Sequence, residues 1–145
     1  KARTAEAKSN IGSINTLQEA YAAETDQYIT SVANPDVTSL WDGQATSWTA
    51  SGVASDLYIE GIGFKPKGNL YFAYSVGPTA PNAAAATLTE GTNGLVAANN
   101  NTNIYIMAAG NLDDDAGASF TSNLSGQYSS NDENRTVVNN NPAEF

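Results

Sequence analysis

The sequence predicts an α+β protein: one long N-terminal helix packed on one face of a roughly four-stranded antiparallel sheet. Three observations lead there. Apolar residues recur at helical spacing through the first 28 residues, the period changes to two after Asp56, and 145 residues suffice for a single core but not for two. No internal repeat or second domain is visible. The chain divides into a helix over residues 1–28, a connecting loop over 29–55, the sheet over 56–128 with a long 77–102 connection inside it, and a tail over 129–145.

The helix rests on KARTAEAKSNIGSINTLQEAYAAETDQY, which contains no proline and sets Ala7, Ile11, Ile14, Leu17, Tyr21 and Tyr28 at intervals of three, four and seven. Gly12 costs such a helix about 1 kcal/mol relative to alanine, so its presence points to a close approach of another backbone. The charges run against the helix dipole. Lys1, Arg3 and Lys8 crowd the positive end, and Glu19, Glu24 and Asp26 the negative end. No capping residue precedes Lys1. The expectation is a helix that continues upstream of Lys1 in the full-length protein, which would carry the positive pole away from these cations.

After Tyr28 the texture becomes short and polar. Asn34-Pro35-Asp36 is a turn signal, and Gly43, Gly52 and many hydroxyl residues read as surface connection, from which at least one of Trp41 and Trp48 docks onto the core. DLYIEGIGF and NLYFAYSV then alternate with period two around Lys65-Pro66-Lys67-Gly68. That pattern predicts a hairpin in which Leu70, Phe72, Tyr74 and Val76 share one face. Gly77 to Thr102 reads as loop, with a short helical turn between Ala83 and Leu88, and with Leu95 and Val96 tucked inward. A third strand is expected over Asn103–Ala109 and a fourth from Ser119 to about Tyr128, with Phe120 and Leu124 on one side. The tail offers a short strand at best, anchored by Val137, Val138 and Phe145. The sheet face away from the helix is expected to be the more polar one.

Composition removes most chemistries. The chain has neither Cys nor His, which excludes disulfides, thiolate and imidazole metal sites and the usual nucleophile–imidazole pairs. Its 15 acidic and 6 basic residues give a net charge of -9, which argues against nucleic acid as a partner. Asp56 and Glu60 lie at opposite ends of one predicted strand with no apolar enclosure, so they read as solvated carboxylates and the chain as no enzyme. Asn111, Asp113 and Asp115 alternate as calcium ligands would. However, no glycine follows Asp115 and no bidentate Glu stands at the EF-hand position, so the triplet Asp113 to Asp115 reads as a solvated loop and no metal or cofactor is assigned. Sequons at Asn100, Asn123 and Asn134 carry little weight.

Three segments resemble one family. KARTAEAKSNIGSINTLQEAYAAETDQY resembles the second half of the long N-terminal helix of type IV pilins, GIGFKPKGNLYFAYSV resembles a strand-and-turn segment of bacterial pilin heads, and AAGNLDDD resembles the stretch between their last main strands. The three segments cover roughly a third of the chain, in the family's order. Absent are the family's processing glycine, its N-terminal Phe with the Glu a few residues on, the hydrophobic helix half, and the disulfide that closes the C-terminal loop of many pilins.

The resemblance implies a pilin head domain without its hydrophobic stem, serving as structural subunit of an extracellular filament used in adhesion, motility or DNA uptake. It implies other copies of the chain as partners, and the inner membrane as anchor, through the missing helix half, before assembly. On the helix, Ala2, Ala5, Ile11 and Ala22 are then candidates for contact between subunits, and Ile14, Leu17 and Tyr21 for contact with the chain's own sheet. Two other readings stand beside it. One is a pseudopilin of a type II secretion system, and the other a secreted module that binds glycans through Trp41 and Trp48.

Overall fold

In a computed structural model of the chain the described residues are 2–35, 45–48, 61–79, 91–98, 103–110, 126–131 and 138–139, with the side chains of 2–4, 126–131 and 138–139 outside the description. Helix α1 spans Ala2–Thr25. Strands β1 (Gln27–Asn34), β2 (Thr46–Ser47), β3 (Asn69–Leu70), β4 (Ala73–Gly77), β5 (Gly94–Ala97), β6 (Tyr105–Gly110), β7 (Gly126–Asn131) and β8 (Val138–Asn139) follow. The chain is therefore α+β, with its N-terminal helix on an antiparallel sheet.

The main sheet has the order β5-β1-β4-β6-β7-β8, and β2 pairs with β3 apart from it. Its four longest strands, β1, β4, β6 and β7, form the central run, and the short β5 and β8 extend its edges. Every pairing is antiparallel. α1 lies across β1, β6 and β7.

The helix ends three residues earlier than its apolar spacing predicts. Asp26 takes a left-handed conformation (φ 56°), which a short polar side chain tolerates, and its N–H still reaches the Ala22 carbonyl at 2.9 Å. Gln27–Asn34, expected as loop after Tyr28, is instead a strand of the main sheet in contact with the helix. The run Tyr28-Ile29-Thr30-Ser31-Val32 is aromatic and β-branched, and such side chains fit a pleated surface better than a helix. Tyr28 falls one full helical repeat after Tyr21, so period alone could not separate the two states.

The described end of the predicted hairpin's first arm, Gly61–Phe64, is not strand. Gly61–Gly63 is a turn, and Gly63 and Gly68 both have positive φ (98° and 78°) and bracket an irregular segment in which Phe64 is buried. β3 pairs with β2, Thr46 facing Leu70. The first arm from Asp56 to Glu60 lies outside the described residues. The shared face of Leu70, Phe72, Tyr74 and Val76 is present: all four join Ala7, Ile11, Ile14, Ile104 and Ile106 in the core. A bend at Tyr71–Phe72 separates β3 from β4.

The third strand lies as expected, ending one residue later at Gly110. Of the fourth, β7 begins only at Gly126, and Phe120 and Leu124 lie outside the described residues. β8 is the short strand of the tail. Within the stretch expected as loop, Gly94–Ala97 forms an edge strand on β1. Val96 packs on the core, but Leu95 on the opposite face is 48% exposed rather than tucked inward. The face away from the helix is buried at its centre, where Ala73, Ser75, Met107 and Ala109 lie. Gly91 lies directly on it. A Cβ at Gly91 would overlap the Val76 carbonyl oxygen and stand 2.9 Å from that of Ser31.

Candidate functional site

α1 presents two unlike faces, and the site is built from both. The inner face follows the interval Ala7, Ile11, Ile14, Gln18, all with 0% exposure. Three apolar residues thus lead to an amide at the next position of the same stripe. The Gln18 Nε2–H donates to the Ile29 carbonyl (2.6 Å) while its Oε1 accepts from the Ile29 N–H (2.9 Å). Ile29 sits opposite Leu95 in the β1–β5 ladder, whereas pairing with β4 begins only at Ser31, opposite Val76. A residue's N–H and C=O point to the same side of a strand. The Gln18 amide therefore occupies the place of the peptide that a neighbouring strand would have offered.

Nearer the helix start, Glu6 and Asn10 clasp one phenol. Asn10 Nδ2–H donates to the Tyr74 hydroxyl (3.0 Å), which donates to Glu6 Oε1 (3.0 Å). Both Glu6 oxygens also accept the Tyr71 N–H at 3.2 Å, at the bend between β3 and β4. Burial pushes the Glu6 carboxyl above the usual carboxylate range, against the N–H groups of Tyr71 and Phe72 and the Tyr74 hydroxyl, which favour its charged form. Burial first, and the Glu6 charge second, push the Tyr74 phenol well above its ordinary value.

The outer face is made of small residues. Ala5, Ser9, Gly12, Ser13, Thr16, Ala20 and Ala23 are all exposed, and a shallow open depression runs over Ser9, Gly12, Ser13, Thr16 and Leu17. Hydroxyls on this face turn back to the helix: Ser13 Oγ donates to the Ser9 carbonyl and Thr16 Oγ1 to that of Gly12, each at 3.1 Å. Among the described residues the expected close approach to Gly12 does not occur, since a Cβ there would meet none of them within 4 Å.

Of the residues expected to contact other subunits, Ala5 is exposed and Ala22 half-buried, while the side chain of Ala2 is outside the description. Ile11 is a correction: it has 0% exposure inside the chain's own core and offers nothing to a neighbour. Its position four residues after Ala7 and three before Ile14 places it on the inner stripe, whose direction β1 fixes. Of the residues expected against the sheet, Ile14 is buried in the core and Leu17 half-buried against it, but Tyr21 is half-buried and stands apart from the cluster. Compared with protein-family models, with curated proteins and with solved structures, the chain has no match.

Trp48 packs edge-on against Phe64, with ring centroids 5.3 Å apart, as a docked indole rather than an open platform. Trp41, the carboxylates Asp56 and Glu60, the Asp113 to Asp115 triplet and the three sequons lie outside the described residues. Glu6, Asn10 and Gln18 are the polar groups that sequence reading passed over. For Gln18 the signal was present, because the interval from Ala7 through Ile14 lands on it. For Glu6 and Asn10 the partner is a tyrosine more than sixty residues away, and no local pattern announces it.

Proposed function

We propose that the chain is the head domain of a type IV pilin-like subunit, which acts by assembly with other copies into an extracellular filament and not by catalysis. The observation that carries the reading is the division of α1. One face is engaged with the chain's own sheet, and the other, from Ala5 to Ala23, is exposed and built of alanine, glycine and hydroxyl residues, of which Ser13 and Thr16 bond back to the helix. Such a surface lets a second helix approach closely without stranding a polar donor, as small-residue faces do wherever helices pack at short range.

The resembling segments fall on the elements this reading uses. The first forms α1 and the start of β1, and the second forms the Gly61–Gly68 turn with β3 and β4. The third begins at the end of β6. In this reading the helix continues ahead of Lys1 as an apolar segment that anchors the subunit in the inner membrane before assembly and lies at the filament centre afterwards. Among the described residues no helix is long and apolar enough to cross a membrane, so that segment would have to supply the anchor.

The test uses the absence of cysteine. Ser13→Cys together with Ala20→Cys or Ala23→Cys is introduced into the full-length gene in its own cell, and surface filaments are sheared off and oxidised. Covalent multimers from sheared filaments are expected. Protein that is released only as monomer, from cells bearing no filament that contains it, refutes the reading.

A further inference from the structure

We propose that β5 is an open sheet edge on which a second copy of the chain docks, β5 against β5, in an antiparallel register centred on Val96. The inference stands apart from the filament reading, because a contact of this kind is closed by a two-fold axis and cannot propagate.

The pairing of β5 with β1 shows which of its backbone groups are free. The Ala98 N–H donates to the Asp26 carbonyl at 2.8 Å, and the same ladder sets Tyr28 opposite Val96 and Thr30 opposite Gly94. Hydrogen-bonded pairs alternate with pairs whose groups point the other way, so Leu95 and Ala97 turn their N–H and C=O away from β1. Ile29, opposite Leu95, fits this alternation, since its own N–H and C=O point away from β5, to Gln18. β5 is the outermost strand of its sheet, and among the described residues no group meets these outward donors and acceptors. Leu95 is also the one large apolar side chain left exposed among the described residues, at 48%, and Ala97 beside it is exposed.

Sheet edges are ordinarily guarded by a charge, a proline or a bulge. β5 has none of these: its ladder with β1 is regular, and the sequence from Gly91 to Leu112 contains no charged residue and no proline. Two features select a second copy as the occupant. The first is register. Setting Leu95 opposite the second copy's Ala97 satisfies the outward groups of both residues in both copies, brings Leu95 over the neighbouring methyl, and places Val96 beside its own counterpart. The second is charge. Copies with a net charge of -9 repel one another, and this neutral stretch is where two of them approach at least electrostatic cost. A strand of four residues buries far less than the ~1,200–2,000 Å² of a stable interface. The dimer is therefore weak, forms at high protein concentration, and is favoured by salt that screens the repulsion.

The chain has no cysteine, so single substitutions in the whole chain read the register. Val96 and its counterpart would form a non-hydrogen-bonded pair with Cα atoms about 4.5 Å apart, within the ~4.4–6.8 Å that a disulfide spans. Leu95 and its counterpart would stand diagonally, about 7–8 Å apart. On mild oxidation of concentrated protein in high salt, Val96→Cys should give a disulfide-linked dimer and Leu95→Cys should stay monomeric, although Leu95 is the more exposed. Adding Leu95→Pro to Val96→Cys removes an outward N–H that β1 does not use, and should abolish the dimer. A Val96→Cys protein that stays monomeric, a Leu95→Cys protein that links as readily, or a dimer that survives Leu95→Pro overturns the proposal. Val96 also packs on the core, so if Val96→Cys does not fold, an equimolar mixture of Leu95→Cys and Ala97→Cys proteins takes its place. The mixture should link where neither protein links alone, and a mixture that behaves as the separate proteins do overturns the proposal.

Discussion

Replacing Gln18 by methionine tests the claim that a side-chain amide stands in for a strand. Methionine has nearly the same length and no hydrogen-bonding group of comparable strength, so the helix can keep its packing while Ile29 loses both partners. Ile29 is 4% exposed, and water cannot replace what the amide supplied. A buried donor or acceptor left unmade costs about 1–3 kcal/mol, so the two groups together cost about 2–6 kcal/mol. Burying a thioether instead of an amide returns about 1–2 kcal/mol, which leaves a mid-range net loss of about 2–3 kcal/mol. Domains are stable by only about 5–15 kcal/mol, so the change should be plain in urea denaturation as a lower midpoint at unchanged slope.

A second substitution separates hydrogen bonding from packing. In Gln18→Glu at neutral pH the carboxylate still accepts the Ile29 N–H but turns a second acceptor toward the Ile29 carbonyl, so this variant should be less stable than Gln18→Met. Protonation in acid restores a donor, and part of the stability should return as pH falls. The Ile29 amide should lose hydrogen-exchange protection in Gln18→Met beyond the loss shared by the rest of β1. A Gln18→Met protein within about 0.5 kcal/mol of wild type, the spread of ordinary surface substitutions, refutes the reasoning. So does a Gln18→Glu protein that matches wild type at neutral pH.

Other consequences are as direct. Ile11→Ala should destabilise by about 2–5 kcal/mol, measured by the same denaturation, because Ile11 is a core residue; a loss under 1 kcal/mol would return it to the outer face. Ser31 Oγ is buried with no partner among the described residues, so Ser31→Ala should leave thermal stability unchanged or raise it by about 1 kcal/mol. Gly91→Ala should destabilise strongly or prevent folding, seen as loss of a cooperative melt, because the new methyl meets backbone and not a flexible side chain. If filaments form, their lateral bundling under the electron microscope should increase with ionic strength, because each copy carries a net charge of -9 that salt screens.

What the sequence made legible was the interior: the helix, the face shared by Leu70, Phe72, Tyr74 and Val76, and β6. Each is a stretch in which apolar period and burial agree. β1 was lost because Tyr28 satisfied the helical interval while its neighbours satisfied a strand, and a single residue in the left-handed region, Asp26, decides between them. Alternation shows that a segment is half-buried and leaves its partner open. β3 found β2, and β4 found β1 and β6, through contacts far along the chain. β5 carries only four residues, two of them exposed, so no local signal separates it from loop.

The same limit explains why the candidate site was half legible. Small residues on one side of a helix can be read from spacing, but which side looks outward depends on where the sheet lies, and that was set by the strand the sequence concealed. With β1 in place, Ile11 turns inward and Gly12 outward. Among the described residues nothing then requires a glycine at position 12, since a Cβ there meets none of them. Gly12→Ala should accordingly stabilise the isolated domain by about 1 kcal/mol through helix propensity alone. A bulkier Gly12→Leu should leave the fold within about 1 kcal/mol of wild type and yet abolish filament assembly in the cell, if the outer face is where copies meet. Unimpaired filaments from a Gly12→Leu subunit would show that this face serves neither the fold nor the assembly, and the small residues along it would lose their explanation.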